Sequence, residues 1–343
     1  MATLKDIAGV TGISISTISR VLNHDETISV TPQTAEKIFA AAKALDYVPT
    51  RSRAKAESAA PNRRMGIAQM FEMEQILEDP YYLYMKSALE KMCFSKGVET
   101  TNLFRDQTGH FICQGDSELD GVFAIGSFTP QEIEDFHRYS SHVVFVDTSP
   151  DDERYFAAVP NFHLGVRQAL QRLLEAGHRR IGFIGSQYTF QEEKNLKLDA
   201  RLYYFRNILQ EAGVFDPAHV LDSAMNSNAG FEVMTRALDA WQTPPTALFI
   251  ASDAIANGVL RALERKGVSI PGQMSVIAFN DTPLSLNASP PLSAVRVLQS
   301  EIAAAAYVAM ESSLAGSTYP FKTVVPCVYV ERESVGAPGV CES

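Results

Sequence analysis

The sequence predicts an N-terminal all-α headpiece of helix-turn-helix form, followed by an α/β core of two lobes built on parallel sheets. Three observations carry this expectation. Closely spaced amphipathic helices open the chain, apolar strand-like runs alternate with helical stretches beyond residue 64, and that alternation comes in two series. The expected limits are residues 1–48 for the headpiece, 49–62 for a hinge and 63–343 for the core. Within the core, one lobe takes about 63–160 and 294–319, and the other about 161–293 and 320–335.

Charge is distributed unevenly. The chain has a net charge of −10, yet residues 1–64 hold nine Lys/Arg against six Asp/Glu, a net of +3. The remainder holds 21 against 34, a net of −13. A small basic module on a large acidic body suits a DNA reader whose body stays off the phosphates. Hydrophobic residues at 46% and charged ones at 20% describe a globular protein. No run of about 18 apolar residues occurs, and the N-terminus lacks the basic-then-apolar pattern of a secretory signal, so a cytoplasmic protein with no membrane span is expected. Cys93, Cys113, Cys327 and Cys341 have neither CxxC spacing nor histidines at zinc-finger distance. Reduced thiols and no bound metal are expected.

The first helix opens at Thr3, with Asp6 three residues later in a capping-box arrangement, and Ile7, Ala8 and Val10 as its buried stripe. Gly12 supplies the left-handed residue that ends it. Ser14 caps a second helix running from Ile15 to about Asn23, with Ile18, Val21 and Leu22 facing inward. The short connection gives helix-turn-helix spacing. Ser16, Thr17, Ser19, Arg20 and Asn23 fall on the outer face, where short side chains allow close approach to base edges and Arg can grip guanine. A third helix starts at Thr31 and Pro32, with Ile38, Phe39, Ala42 and Leu45 as its core.

The string TLKDIAGVTGISISTISRVLN, followed by TPQTAEKI and ALDYVP, resembles the headpiece of the lactose/galactose repressor family without gaps over about fifty residues. The resemblance implies base reading by Ile15, Ser16 and Arg20, and phosphate contacts from Thr3, Ser14, Thr17 and Asn23. It also implies that PTRSRAKAESAAP, residues 49–61, is a hinge that enters the minor groove. Arg51 and Arg53 lie there, and Ala56 stands where the family places a wedging leucine. No leucine occurs between Asp46 and Ile76, so a shift of register does not supply one, and an alanine cannot unstack bases as a leucine does.

In the core, residues 65–71, 121–125 and 143–146 read as strands, with helices near 82–96, 131–139 and 162–176. A second series has strands at 181–184, 247–251 and 276–279, with helices ending near 211 and spanning 254–266. Such alternation gives parallel sheets whose ligands sit at the carboxyl ends of strands. D-P-Y-Y-L (79–83), F-V-D (145–147), G-H-R-R-I-G-F-I-G (177–185), R-L-Y-Y-F (201–205), A-S-D-A-I-A-N-G (251–258), F-N-D (279–281) and P-P-L-S-A-V-R (290–296) resemble the core of the same family. Several of these strings come near repressors of β-galactoside operons. The layout resembles the periplasmic sugar-binding fold, which implies chain crossings between lobes near Asn161, Ser293 and Tyr319.

The residues at these strand ends suit a polyol. Asp147 can accept paired hydroxyl protons, and Arg201, a planar fork, can donate to two neighbouring oxygens. Ser252, Asp253 and Asn280 add mixed donors and acceptors, and Tyr81 can cover a ring face. Asp253 also suits a helix cap, and Asp147 a strand terminus. The expected partners are double-stranded operator DNA, a small sugar effector and a second copy of the chain. A galactoside that releases the operator is the leading reading. A nucleobase effector and corepression stay open. Met225 falls where the family often places an aromatic, which counts against a flat heterocycle. No G-x-S-x-G elbow, P-loop or H-E-x-x-H occurs, so neither an enzyme nor a cofactor is expected. A transport-binding protein would need a signal peptide and no headpiece. The tail ESVGAPGVCES has no leucine and cannot form a coiled coil, so a homodimer is expected.

The headpiece reading makes one direct prediction. Arg20→Ala costs about 1–3 kcal/mol on the cognate operator and blurs discrimination at one base pair. Anisotropy titrations on operator and random DNA check it. Equal losses on both would reduce Arg20 to a phosphate clamp.

Overall fold

The computed structural model describes residues 3–22, 30–45, 63–72, 75, 78–113, 118–189 and 197–339. The chain divides into two compact units, Met1–Asn62 and Arg63–Ser343. Asn23, Arg51, Arg53 and Ala56, and with them the hinge, lie outside the described residues.

The first unit holds α1 (Leu4–Thr11), α2 (Ile15–Leu22) and α3 (Pro32–Ala44). Asp6 accepts hydrogen bonds from the Thr3 backbone N–H at 2.7 Å and from the Thr3 hydroxyl at 2.8 Å, which starts α1. Gly12, at φ 69°, ends it by donating its N–H to the Ala8 carbonyl. Ile7, Ile18, Val21, Leu22, Ile38, Ala41 and Ala42 form the buried core, and the Lys37 ammonium donates to the Thr11 carbonyl, tying α3 to the end of α1. Two expected core residues are outside it. Val10 is 65% exposed and Phe39 41%. The stripe of α1 runs through Ile7 and buried Thr11, four residues apart, which turns Val10 outward. On α3 the inward set is Ile38, Ala41 and Ala42, and this leaves Phe39 on the neighbouring face.

Among its described residues the second unit contains two large sheets and a small two-stranded one. The elements that lead into the first are β1 (Arg64–Gln69), α4 (Tyr81–Ser95), β2 (Glu99–Arg105), β3 (Phe111–Cys113), β4 (Gly121–Ile125), α5 (Pro130–His137), β5 (Val143–Val146) and β6 (Phe156–Pro160). After β6 come α6 (Phe162–Glu175), β7 (Ile181–Gly185), β8 (Tyr188–Thr189), β9 (Lys197–Leu198), α7 (Ala200–Glu211) and β10 (Val220–Asp222). The chain then forms α8 (Ser227–Ala240), β11 (Ala247–Ile250), α9 (Asp253–Arg265), β12 (Ser275–Asn280) and the short α10 (Pro283–Leu286). It closes with β13 (Ser293–Val297), α11 (Gln299–Leu314), β14 (Lys322–Val325) and β15 (Cys327–Val330).

Among the described residues, the first sheet has the order β14-β6-β5-β4-β1-β2-β3 and is parallel except where β3 meets β2. The second has the order β10-β7-β11-β12-β13-β15 and is parallel except where β15 meets β13. Strands β4, β5, β7, β11 and β12 are buried along their whole length, as strands covered by helices on both faces must be. Strand order reverses beside β1 in the first sheet and beside β7 in the second. Each reversal opens a crevice at the carboxyl ends of the strands, the place where such sheets hold ligands.

The chain passes from the first sheet to the second at Asn161, returns at Leu298 and crosses again at Pro326. The last two differ from the expected crossings near Ser293 and Tyr319. Strand β13 pairs in parallel with β12, with Ile277 opposite Ser293, so residues 293–297 stay in the second lobe. Strand β14 pairs in parallel with β6, with Lys322 opposite Ala157, so residues 322–325 stay in the first. Helix α11 lies between these crossings and packs on α4, β5 and β6. Buried His178 braces the second lobe. Its ring reaches the Thr246 hydroxyl at 2.8 Å, the Ser275 hydroxyl at 3.1 Å and the Gly336 carbonyl at 3.0 Å, and burial lowers its pKa.

Helices α8 and α9 cross at close range through two glycines. A Cβ on Gly258 would overlap the Ser227 carbonyl and lie 2.7 Å from the Phe231 nitrogen, and one on Gly230 would overlap the Ile255 carbonyl. Backbone cannot yield as a side-chain tip can. Gly258→Ala is therefore expected to cost about 1–3 kcal/mol or more. The melting temperature should fall by roughly 2–4 °C for each kcal/mol lost. A thermal melt followed by circular dichroism checks this, and an unchanged melting temperature contradicts the close crossing.

Candidate DNA-reading helix and interlobe cleft

Helix α2 begins with a cluster of hydroxyls. Ser14 Oγ accepts from the Thr17 backbone N–H at 3.1 Å and lies 3.0 Å from Ser16 Oγ and 2.8 Å from Thr17 Oγ1. Ile15, Ser16 and Arg20 are exposed on the same helix. Exposed neutral donors at the positive end of a helix suit phosphate oxygens, and one arginine on that face suits a base edge. The Thr3 hydroxyl is already engaged by Asp6, whose carboxyl that hydrogen bond holds below its usual pKa range.

In the second unit, Asp147 follows β5 in the left-handed region at φ 75°, and its carboxylate is buried. The Tyr81 hydroxyl donates to Asp147 Oδ1 at 2.6 Å and the Tyr82 hydroxyl to Oδ2 at 3.3 Å. Burial raises the Asp147 pKa, and the Tyr81 hydrogen bond and the Arg201 charge oppose the rise. Both tyrosines are pushed well above the ordinary range by burial and by Asp147, so they remain donors.

Arg201 lies in the first turn of α7. Its Nε and Nη2 donate to the two oxygens of Asp199 at 2.9 and 2.7 Å, and its Nη1 donates to the Ala251 carbonyl at 2.6 Å. The guanidinium stands 5.7 Å from the ring centres of both Phe162 and Phe279. Burial would lower its pKa, but the Asp199 carboxylate more than offsets that, so the arginine stays charged. A guanidinium has five N–H donors, and these three bonds leave it capacity for a ligand.

Asp253 opens α9, where its Oδ2 accepts from the Thr282 N–H at 2.5 Å and from the Ser285 hydroxyl at 3.3 Å. Burial, with the Asp79 charge, raises its pKa to about 7. Ser252 Oγ accepts from the Ile255 N–H at 3.2 Å and so caps that helix. Asn280 ends β12 at φ 93° and is 4% exposed. The fold thus joins Tyr81 directly to Asp147 and sets Arg201 within electrostatic reach of Asp147, while Ser252 is engaged as a cap.

Residue reasoning missed Asp79, Tyr82, Asp199, Phe162 and Phe279. Asp79 and Tyr82 flank Tyr81 in the D-P-Y-Y string, and Asp199 stands at the cap position two residues before Arg201. Those positions were the available signals. A cavity of about 550 Å³ is lined by Asp147, Asn161, Phe162, His163, Tyr203 and Tyr204 among others. A second, of about 250 Å³, is lined by Glu78 and Pro80 from the first lobe and by Ser227, Asn228, Ala254 and Leu284 from the second.

Known proteins match this arrangement at both ends of the chain. Residues 3–50 match the family model of bacterial regulatory proteins, lacI family, and residues 170–335 that of the periplasmic binding protein-like domain. The HTH-type transcriptional regulator GalR of Streptococcus thermophilus is 34% identical over 302 residues, 88% of this chain and 89% of that protein. The HTH-type transcriptional repressor MelR of Bacillus subtilis is 30% identical over 344 residues, 98% of each. Among solved structures, the complex of the transcriptional regulator CelR with cellobiose aligns with a TM-score of 0.67 at 23% identity, over 98% of this chain and 100% of that one. The Lac repressor dimer bound to operator and the anti-inducer ONPF aligns with a TM-score of 0.66 at 20% identity, over 98% and 99%. With headpiece and core matched in the same order, and identity of 30–34% sustained over most of the chain, this protein belongs to the LacI family of bacterial helix-turn-helix transcriptional regulators.

Proposed function

We propose that this regulator represses transcription as a homodimer on a two-fold operator in double-stranded DNA, and that a small sugar of the galactoside class, bound in the interlobe cleft, releases it. Ile15, Ser16 and Arg20 read base edges, and Thr3, Ser14 and Thr17 hold phosphates. Asn23, Arg51, Arg53 and Ala56 extend that footprint. Tyr81, Asp147, Arg201, Ser252, Asp253 and Asn280 serve the effector. In this reading the protein is a cytoplasmic binding protein and not an enzyme.

The observation that carries the effector reading is the pairing of Asp147 with Tyr81 beside a part-buried, charged Arg201. Sugar hydroxyls donate and accept at once, and their ring faces are apolar. The Asp147 carboxyl and the rings of Phe162, Tyr203 and Tyr204 around the 550 Å³ cavity answer both needs. One structural neighbour is a complex with cellobiose and another is a dimer on its operator, which supports a sugar and a dimer here.

The cleanest probe is Asp147, because asparagine tolerates its left-handed backbone. Arg201→Ala would instead leave the buried Asp199 without its counter-charge, a change that costs about 3–5 kcal/mol on its own. In a thermal-shift panel of sugars, sugar phosphates and nucleobases, a galactoside at about 100 times its Kd should stabilise the protein by about 2.7 kcal/mol. Asp147→Asn should keep the fold and weaken the sugar at least about tenfold, as expected when a charged hydrogen-bond acceptor is lost. Stabilisation by nucleobases and by no sugar would refute the galactoside reading.

A further inference from the structure

Helix α11 joins two places that regulation must connect. Its first residue, Gln299, follows the crossing from the second lobe at Leu298. Near its other end, Glu311 Oε1 accepts from Arg63 Nη1 at 2.5 Å. Arg63 is the residue at which the core begins, directly after the stretch 49–62 read as the hinge. Two more contacts hold that end of the helix to the same side of the first sheet. Ser313 Oγ lies 2.9 Å from His142 Nδ1, just before β5, and Met310 Sδ fills the space that a Cβ on Gly121, the first residue of β4, would take. Strands β1, β4 and β5 are adjacent and parallel, so α11 meets all three at their starting ends. At about 1.5 Å per residue, this helix of 16 residues spans roughly 24 Å from the lobe crossing to the start of the core. The backbone of residues 63 and 64 is held by other partners. The Arg63 carbonyl accepts from the Glu99 N–H at 2.9 Å, and the Arg64 N–H donates to Asp120 Oδ2 at 2.7 Å.

We propose that α11 transmits the lobe arrangement to the hinge, and that Arg63 and Glu311 form the last link of that transmission. This rests on the reading that a sugar in the cleft governs the operator. A ligand that alters the lobe arrangement acts on the crossing at Leu298, where α11 begins. A packed helix responds as a rigid body, with shifts of about 1–2 Å in known transitions. A shift of that size carries a contact of 2.5 Å to the edge of hydrogen-bond range or beyond it. The ion pair is then stronger in one arrangement than in the other, and that difference is what a coupling free energy consists of. The backbone bonds of Arg63 and Arg64 to Glu99 and Asp120 lie within the first lobe and are common to both arrangements. Arg63 and Glu311 are thus positioning residues, which act on the operator through the hinge.

The test measures the operator affinity of the full-length protein with and without saturating methyl β-galactoside, by anisotropy, and the sugar affinity by isothermal titration. Wild type is compared with Arg63→Gln, Glu311→Gln and the double variant. Both side chains are part-exposed, so the substitutions leave the buried core untouched. Each single variant should keep its sugar affinity within about twofold, because the cleft lies at the other end of the helix. Its ratio of operator affinities without and with sugar should fall about two- to fivefold, the scale of a part-exposed ion pair. The double variant should lose no more of that ratio than either single variant, since all three remove one link. Operator binding that weakens equally with and without sugar marks a structural role and overturns the proposal, as do losses that add in the double variant. An unchanged ratio in the variants beside a responsive wild type overturns this proposal and leaves the release reading intact. A wild type that binds the sugar with no change in operator affinity overturns both.

Discussion

The cleft is organised by the ion pair between Arg201 and Asp199. Two of its nitrogen–oxygen contacts, at 2.9 and 2.7 Å, hold the guanidinium on the loop before α7, and a third bond at 2.6 Å ties it to the Ala251 carbonyl after β11. One side chain thus ties the start of α7 to the loop that follows β11. The rings of Phe162, just past the first lobe crossing, and Phe279, on β12, flank it. Burying an arginine is costly unless its charge is matched and its donors are used, and Asp199 does both. The fixed cation in turn moderates Asp79 and Asp147 across the cleft, whose carboxyls burial alone would drive still further upward.

This arrangement bears on regulation through a simple thermodynamic condition. A ligand shifts an equilibrium only by its differential affinity for the two states. A ligand that contacts both lobes shifts that equilibrium only when it binds one lobe arrangement more tightly than the other. The same condition makes induction and corepression equally available to the residues, and only the sign of the coupling to the headpiece separates them.

Much of the fold was legible because the chain follows local rules. Gly12 marks the turn before α2, the continuous apolar runs of β4, β5, β7, β11 and β12 mark fully buried parallel strands, and Asp147 and Asn280 stand where β5 and β12 end. What stayed hidden was nonlocal. Strand β2, ETTNLFR, is mostly polar and half exposed because one edge of its sheet is covered only by the short β3. The assignments of β13 and β14 to their sheets depend on pairing with β12 and β6, which lie far away in sequence. Ser252 is the N-cap of α9, a role that its small hydroxyl serves as readily as it would serve a ligand. Asp79 and Asp253 come within electrostatic reach of each other only through the packing of the two lobes.

The account turns on whether occupancy of the cleft governs the operator. Fluorescence anisotropy of a labelled operator, followed while methyl β-galactoside is titrated into the pre-formed complex, measures that coupling directly. The account predicts that the sugar releases the operator from the wild-type protein, with a midpoint that tracks its thermal-shift affinity. A sugar that binds the protein and leaves operator affinity unchanged, or tightens it, would contradict it.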